Sequence, residues 1–308
     1  MPVLLDISRL LPGPLCARIL ADSGWEVHRW ERPGGEITRH WAPELYAWLQ
    51  THKHIETVDL KQEAGRARFR ERIAQVDALL ETNRPGVMER LGLGYAELVR
   101  INPRLTYVRL MGSREEARRG QPGHDLTYLA GSGMLERVGE AWRSVQLADV
   151  AGALWAALAL ERVFREGGGY VEVYLEEAPF VFGYPPLPLL DGRLVSYHVY
   201  AAARGHVALA ALEPSLWAMF CEVAGKPAWK GKGRTPATED NPVFLEVQDF
   251  FRTRAAACWD QWAVEHRLPL RAVHPWHMPA HLCPWHIRPA SANLSAGMLS
   301  DDVQDTSD

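Results

Sequence analysis

The sequence predicts an α/β protein: a large domain built on a parallel sheet, followed by a smaller α+β domain. Three observations carry that prediction. Apolar runs of strand length alternate with helix-length segments from Val3 to Leu175. The first stretch, VLLDISRLLPGPLCARILADSGWEVHRWERPGG, reads strand, helix, strand, and two strands joined through a helix lie parallel. The texture then changes at YPPLPLLDG, Tyr184 to Gly192, where clustered prolines read as a linker.

The elements follow in order. Val3 to Ile7 is a short apolar run that suits a buried strand. Gly13-Pro14 starts a helix, with the proline near its first turn; Leu15, Ile19 and Leu20 give it an apolar face, and Gly24 ends it. Trp25 to Trp30 is the second strand and Val58 to Leu60 the expected third. Gln62 to Gln75 is a charged amphipathic helix, followed by strand Ala78 to Leu80. A loop and short helix occupy ETNRPGVMERLGLGY, Glu81 to Tyr95, before strand Leu105 to Leu110. Ala148 to Arg165 is a helix stopped by Gly167-Gly168-Gly169; it is apolar nearly all round, so deep burial is expected. Tyr170 to Leu175 closes the series as a strand.

Beyond the linker, LVSYHVYAAARGHVALAALEP reads as two strands with a turn near Arg204-Gly205. Ser215 to Ala224 and most of Val247 to His266 are helical, and the acidic end LSDDVQDTSD lacks the apolar residues needed to fold. The expected organisation is a large domain over 1–180, a linker over 181–192, a small domain over 193–270 and a divergent, partly disordered segment over 271–308.

Composition narrows the function classes. The 308 residues are 47% hydrophobic, enough for a sizeable core. With 34 basic and 38 acidic residues, the net charge is -4, without the basic excess of a general nucleic-acid binder. A few arginines can still hold a small anion. Cys16, Cys221, Cys258 and Cys283 form no C-x-x-C pair and no disulfide framework. The N-terminus lacks the pattern of a secretory leader. Val150 to Leu160, the most apolar run, is too short to cross a bilayer. A cytoplasmic protein, with neither nucleic acid nor membrane as partner, is expected.

The opening β-α-β unit raises the question of a dinucleotide. Glu31 ends the second strand, where a ribose-binding acid would sit, but the G-x-G-x-x-G pattern is absent. NAD is therefore not expected.

His124 and Asp149 are the side chains best suited to chemistry. His124 stands after Pro122-Gly123, where a turn or capping role is common. It is also the side-chain type best poised for proton transfer near neutrality. Asp149 precedes the apolar helix, where an aspartate suits the N-cap. It could equally aim a carboxylate into a cleft. A histidine and an aspartate on opposite sides of one carbon make a two-base site. Arg32, Arg84 and Arg90 read either as surface charges or as phosphate grips at the ends of parallel strands. HPWHMPAHLCPWH brings together His274, His277, His281, Cys283 and His286. Its spacing matches no standard finger and its prolines prevent one helical face, so no metal site is expected. Trp155 and Trp217 sit on apolar helical stretches and read as core.

Several of these stretches together resemble the family III CoA-transferases, and within that group the α-methylacyl-CoA racemases. The segments are GPLCARILADSGWEVHRWERPGG, VDLK, ETNRPGVMERLGLGY, INPRLTYVRLMG, PGHDLTYLAGSGML and LADVAGALWAALALE, in family order over Val3 to Pro179. A weaker match continues through LLDG, GHVALAALEPSLW and EVQDFFRTRAAACW. The resemblance implies the family III fold, with a large Rossmann-like domain, and an interlocked homodimer whose active site lies between the large domain of one subunit and the small domain of the other. It implies His124 and Asp149 as the acid/base pair, with Glu213 of the A-x-E-P motif near them. It implies CoA contacts at Arg32, at Val58, Asp59, Leu60 and Lys61, at Thr82, Asn83 and Arg84, at Arg90, and at Gly123, Asp125, Leu126, Thr127 and Tyr128. No tightly bound cofactor is expected; coenzyme A arrives as part of an acyl-CoA substrate.

The expected activity is epimerisation of a 2-methylacyl-CoA at its α-carbon. One alternative is CoA transfer through an aspartyl anhydride at Asp149; transferases of the family usually lack the G-H-D histidine. Another is a CoA-binding paralogue impaired in turnover. The chain departs from the family pattern at Thr127, where the motif has asparagine, and at the charged loop SREEARRGQ, Ser113 to Gln121, where the family has glycines. It is also shorter between Pro179 and Leu190, and beyond Val273 the family's return to the large domain is not matched.

Overall fold

The computed structural model describes residues 1–183, 190–277, 279 and 282. The chain packs as two units, Met1–Gly183 with the chain from Pro279 onward, and Tyr184–Met278.

The first unit alternates strand and helix. Its elements are β1 (Val3–Asp6), α1 (Pro12–Asp22), β2 (Glu26–Glu31), α2 (Thr38–Trp41), α3 (Pro43–Leu49), β3 (Lys53–Thr57), α4 (Glu63–Ile73), β4 (Ala78–Glu81), α5 (Val87–Arg90), α6 (Tyr95–Ile101), β5 (Thr106–Met111), α7 (Asp125–Gly131), α8 (Met134–Val138), α9 (Leu147–Arg165) and β6 (Gly169–Tyr174). The six strands make one sheet in the order β3-β2-β1-β4-β5-β6, every pair parallel. Successive side chains of a strand point to opposite faces. Leu4 accordingly joins the core beneath α1 and α9, with Leu15, Leu20, Ala153, Ala156 and Leu160, while Leu5 joins the opposite core beneath α4 and α6, with Phe69, Ile73 and Leu98.

The third strand departs from expectation. It is KHIET, and Val58 to Leu60 form the turn beyond it. A mostly polar edge strand lacks the apolar run by which buried strands are recognised. Helix α9 also differs from the deep burial expected. Ala148, Ala153, Ala156 and Leu160 face the core, but Leu154 is 53% exposed and Leu158 55%. Trp155 is on that outer side, 41% exposed, and is not core. One stripe of a helix suffices to cover a sheet, so an apolar circumference does not guarantee an enclosing fold.

The second unit contains β7 (Tyr197–Ala201), β8 (His206–Ala210), α10 (Pro214–Val223), α11 (Pro242–Arg252), α12 (Ala256–His266) and β9 (Leu270–Ala272). β7 and β8 pair antiparallel across the turn containing Arg204-Gly205, and β9 adds antiparallel to β8. Trp217, Phe220, Trp229, Phe251 and Trp259 dominate its core, so Trp217 is core as expected. The mostly helical stretch expected to His266 is made of two helices, with Thr253–Ala255 between them.

The chain does return to the first unit. The Trp48 indole donates to the Pro279 carbonyl at 2.8 Å, and the Leu282 N–H donates to Asp22 Oδ2 at 2.9 Å. His281, Cys283, His286 and the acidic terminus lie outside the described residues, as does most of the proline-rich linker. No helix among the described residues is long and apolar enough to cross a membrane.

Candidate active site

Parallel strands bring their C-terminal loops to one edge of the sheet. Strand order reverses between β1 and β4, the position at which open α/β sheets bind ligands. A cavity of about 430 Å³ opens there. Its wall is built by Arg9 and Leu10 after β1, Thr82 to Pro85 after β4, Met111 and Gly112 at the end of β5, and Gly123, His124, Tyr128 and Asp149. A second cavity of about 200 Å³ lies at the ends of β1, β2 and β3, lined by Arg32, Val58, Asp59, Leu60 and Lys61 beside Trp30, Met88 and Leu91. Arg9 and Asn83 line both, so the two cavities adjoin.

Buried polar groups hold the β1 loop that separates them. Asp6 Oδ1 accepts from the Ser8 N–H at 2.9 Å and from Arg29 Nη1 at 3.0 Å. The same arginine nitrogen donates to the Ser8 carbonyl at 2.5 Å. Burial pushes the Asp6 carboxyl up, but Arg29, Lys53 and the Ser8 donors outweigh it and leave it below its usual range. Leu10 takes a left-handed φ of 63°, uncommon for a branched side chain, within the cavity wall. A Cβ on Gly13 would stand 2.1 Å from Ser8 Cβ. That glycine allows close packing of α1 on the loop and serves no dinucleotide motif.

His124 is the N-cap of α7 and is exposed. Thr127, in place of the motif's asparagine, closes this turn: its Oγ1 accepts from the His124 N–H at 3.1 Å and donates to the His124 carbonyl at 2.8 Å. A Cβ on Gly123 would stand 2.7 Å from Tyr128 Cε1, so a larger residue there would push on the Tyr128 ring.

Asp149 is the third residue of α9, whose N-cap is Gln146, so it is not the N-cap that its sequence position suggests. The cap is supplied from elsewhere. Asp125 Oδ1 accepts from the Ala148 N–H at 2.7 Å and the Asp149 N–H at 3.0 Å. The Asp149 side chain is thereby released to the cavity. It is 9% exposed, and among the described residues it forms no ion pair. Burial, reinforced by the neighbouring Asp125 carboxylate, pushes its pKa up to about 7. The Tyr128 phenol is pushed up to about 12 by burial and by Asp149 and Glu176, so it stays protonated near neutrality.

The sequence-predicted residues therefore divide. Thr82, Asn83, Arg84, Gly123, His124, Tyr128 and Asp149 meet in the first cavity; Arg32 and Val58 to Lys61 meet in the second, with Asn83 shared. Thr127 lines a third cavity of about 620 Å³ with Ser113, Glu115, Arg118 and Glu176. Asp125 is a buried helix cap, whereas Leu126 and Arg90 are exposed. Glu213 belongs to the second unit, where it is exposed and immediately precedes α10.

Two arginines that line the first cavity, Arg9 and Arg119, were not anticipated. Arg9 could have been proposed from its place just after the first strand. Arg119 comes from the charged loop and forms a forked pair with Glu172 on β6 at 2.8 and 2.9 Å. Arg114 similarly pairs with Glu177 at 3.0 Å. Charges thus anchor this loop where the family pattern has glycines. No group of three or more metal-ligating side chains forms among the described residues.

Comparison with known proteins places the chain in a family. A family model for CoA-transferase family III matches residues 3–168 and 186–286. Alpha-methylacyl-CoA racemase from Homo sapiens is 35% identical over 287 residues, covering 83% of this chain and 72% of that protein. Succinyl-CoA:mesaconate CoA-transferase from Haloarcula hispanica is 29% identical over 262 residues, covering 72% of this chain and 66% of that protein. The crystal structure of Rv3272 from Mycobacterium tuberculosis matches with a TM-score of 0.72 and 26% identity, covering 89% of this chain and 82% of that one.

Proposed function

The chain belongs to CoA-transferase family III, an enzyme family, and from that premise we propose that it epimerises the α-carbon of a 2-methylacyl-CoA by two-base proton transfer. One observation carries the reading: His124 and Asp149, on different helices, line the same cavity. The protonation of Asp149 adds to it. A proton beside a thioester carbonyl is weakly acidic, and the base that removes it works best with a pKa near the operating pH. With its pKa near 7, Asp149 can both accept and return a proton.

In one direction His124 takes the α-proton, the C–H electrons move into the thioester as an enolate, and protonated Asp149 delivers a proton to the opposite face. In the other direction the two residues exchange roles. Arg9, Arg84 and Arg119 surround the first cavity, and Arg32 and Lys61 reach the second. Such side chains suit the phosphates of coenzyme A through charge-assisted hydrogen bonds. A CoA laid across both cavities would place its thioester beside His124 and Asp149.

The transferase reading has its own support. Asp149 faces the cavity without an ion-pair partner among the described residues, as a nucleophile must, and relatives include a CoA-transferase. In that reaction the carboxylate attacks the thioester carbonyl and expels CoA as its thiolate, leaving a mixed anhydride. Protonation near neutrality disfavours a nucleophilic carboxylate, which is why the proton-transfer reading is preferred.

Incubation with a 2-methylacyl-CoA panel in deuterium oxide tests the proposal. Deuterium at the α-carbon of both enantiomers is the expected result, with Asp149→Asn confining exchange to the enantiomer whose proton faces His124 and abolishing racemisation. An acyl-enzyme trapped with hydroxylamine, without α-exchange, would select the transferase. CoA binding by calorimetry with neither reaction would select the impaired paralogue.

A further inference from the structure

We propose that Asp125 is a positioning residue that sets Asp149 for proton transfer by tying the start of α9 to the start of α7. The inference rests on the acid/base reading of Asp149. Asp125 is the first residue of α7, directly after His124. Its side chain leaves that helix and caps another: Oδ1 accepts the N–H groups of Ala148 and Asp149, the second and third residues of α9, at 2.7 and 3.0 Å. Its residue is buried, at 7% exposure. One carboxylate therefore links the backbone at His124 to the backbone at Asp149. A small displacement of either helix start would separate the two bases, and misplacement by about 1 Å can cost roughly a hundredfold in rate.

The same contact places a negative charge beside Asp149. From α7, Asp149 is faced by Asp125 and Tyr128, with His124 at the helix start; Glu176 acts on Tyr128, and Arg9, Arg84 and Arg119 line the shared cavity. Asp125 is the carboxylate that raises Asp149 beyond the effect of burial. It thus both holds the acid/base group and adjusts its proton affinity.

Carbon-13 NMR of protein labelled at its aspartate carboxyls tests this, with the Asp149 signal assigned by its loss in Asp149→Asn. Asp125→Asn keeps an oxygen that accepts both backbone bonds but removes the charge. The Asp149 midpoint is expected to fall by about one pH unit in that variant. Turnover in Asp125→Ala, which loses both bonds, should drop roughly ten- to a hundredfold, with Asp125→Asn restoring most of it. An unchanged Asp149 midpoint in Asp125→Asn would overturn the inference.

If Asp125→Asn does not fold, the unmodified protein still decides: coupled carboxyls give a two-step titration of the Asp149 signal, and a single independent step contradicts the proposal. Absence of α-exchange in the unmodified enzyme would instead defeat the acid/base reading, while the NMR titration would still report on the coupling.

Discussion

At the scale of single residues, Asp149 is held at a cost to the fold. Its folded pKa, about 7, lies above the ordinary aspartate value of 3.8. Between those values the folded protein binds more protons than the unfolded chain, so stability falls as pH rises through the window. Asp149→Asn removes that penalty. It should stabilise the protein by roughly 2–4 kcal/mol at pH 8, with the difference vanishing near pH 4, as read by denaturant unfolding at both pH values. A second prediction separates the two bases. His124→Asn should abolish racemisation yet keep slow α-exchange from the one enantiomer whose proton faces Asp149; equal exchange from both enantiomers would contradict the assignment. His124 was legible in the sequence because its motif is contiguous. The role of Asp125 was not, since its partners Ala148 and Asp149 lie 23 and 24 residues further along. Nor could the sequence separate a cap from a third helical residue, because helix ends shift by one or two positions with tertiary context.

Among the elements, the loop between β1 and α1 does most to shape the candidate site. It lines both cavities through Arg9, and Gly13 lets α1 close on it. Gly13→Ala should lower stability by about 1–3 kcal/mol and weaken CoA binding in the same variant, measured by unfolding and calorimetry. A stable variant with unchanged affinity would show that the loop tolerates the displacement. The buried strands and long helices were readable because apolar period and length agree there. The polar edge strand β3 and the short α2 and α3 carry little such signal. The charged loop is a different case: its composition marked it as a departure, but its anchoring on Glu172 and Glu177 is tertiary and no local pattern contains it.

On the scale of the whole molecule, the parallel sheet was legible in the alternation of strands and helices, and the smaller antiparallel sheet in the two strands expected about Arg204-Gly205. The return of the chain to the first unit at Pro279 and Leu282 was not, because single hydrogen bonds to Trp48 and Asp22 leave no sequence pattern. We propose that the enzyme works as a homodimer; light scattering after size exclusion should give twice the chain mass of 34.6 kDa, and a monomer that turns over would refute this. In the proposed reaction one of His124 and Asp149 removes a proton from one face of a CoA thioester's α-carbon while the other delivers a different proton to the opposite face. Its most direct test starts from each pure enantiomer of a 2-methylacyl-CoA in deuterium oxide and follows configuration and label together. Both samples should converge on the same mixture of enantiomers, with one deuterium gained at the α-carbon of each inverted molecule. Retained configuration and an unlabelled α-carbon in both samples would contradict it.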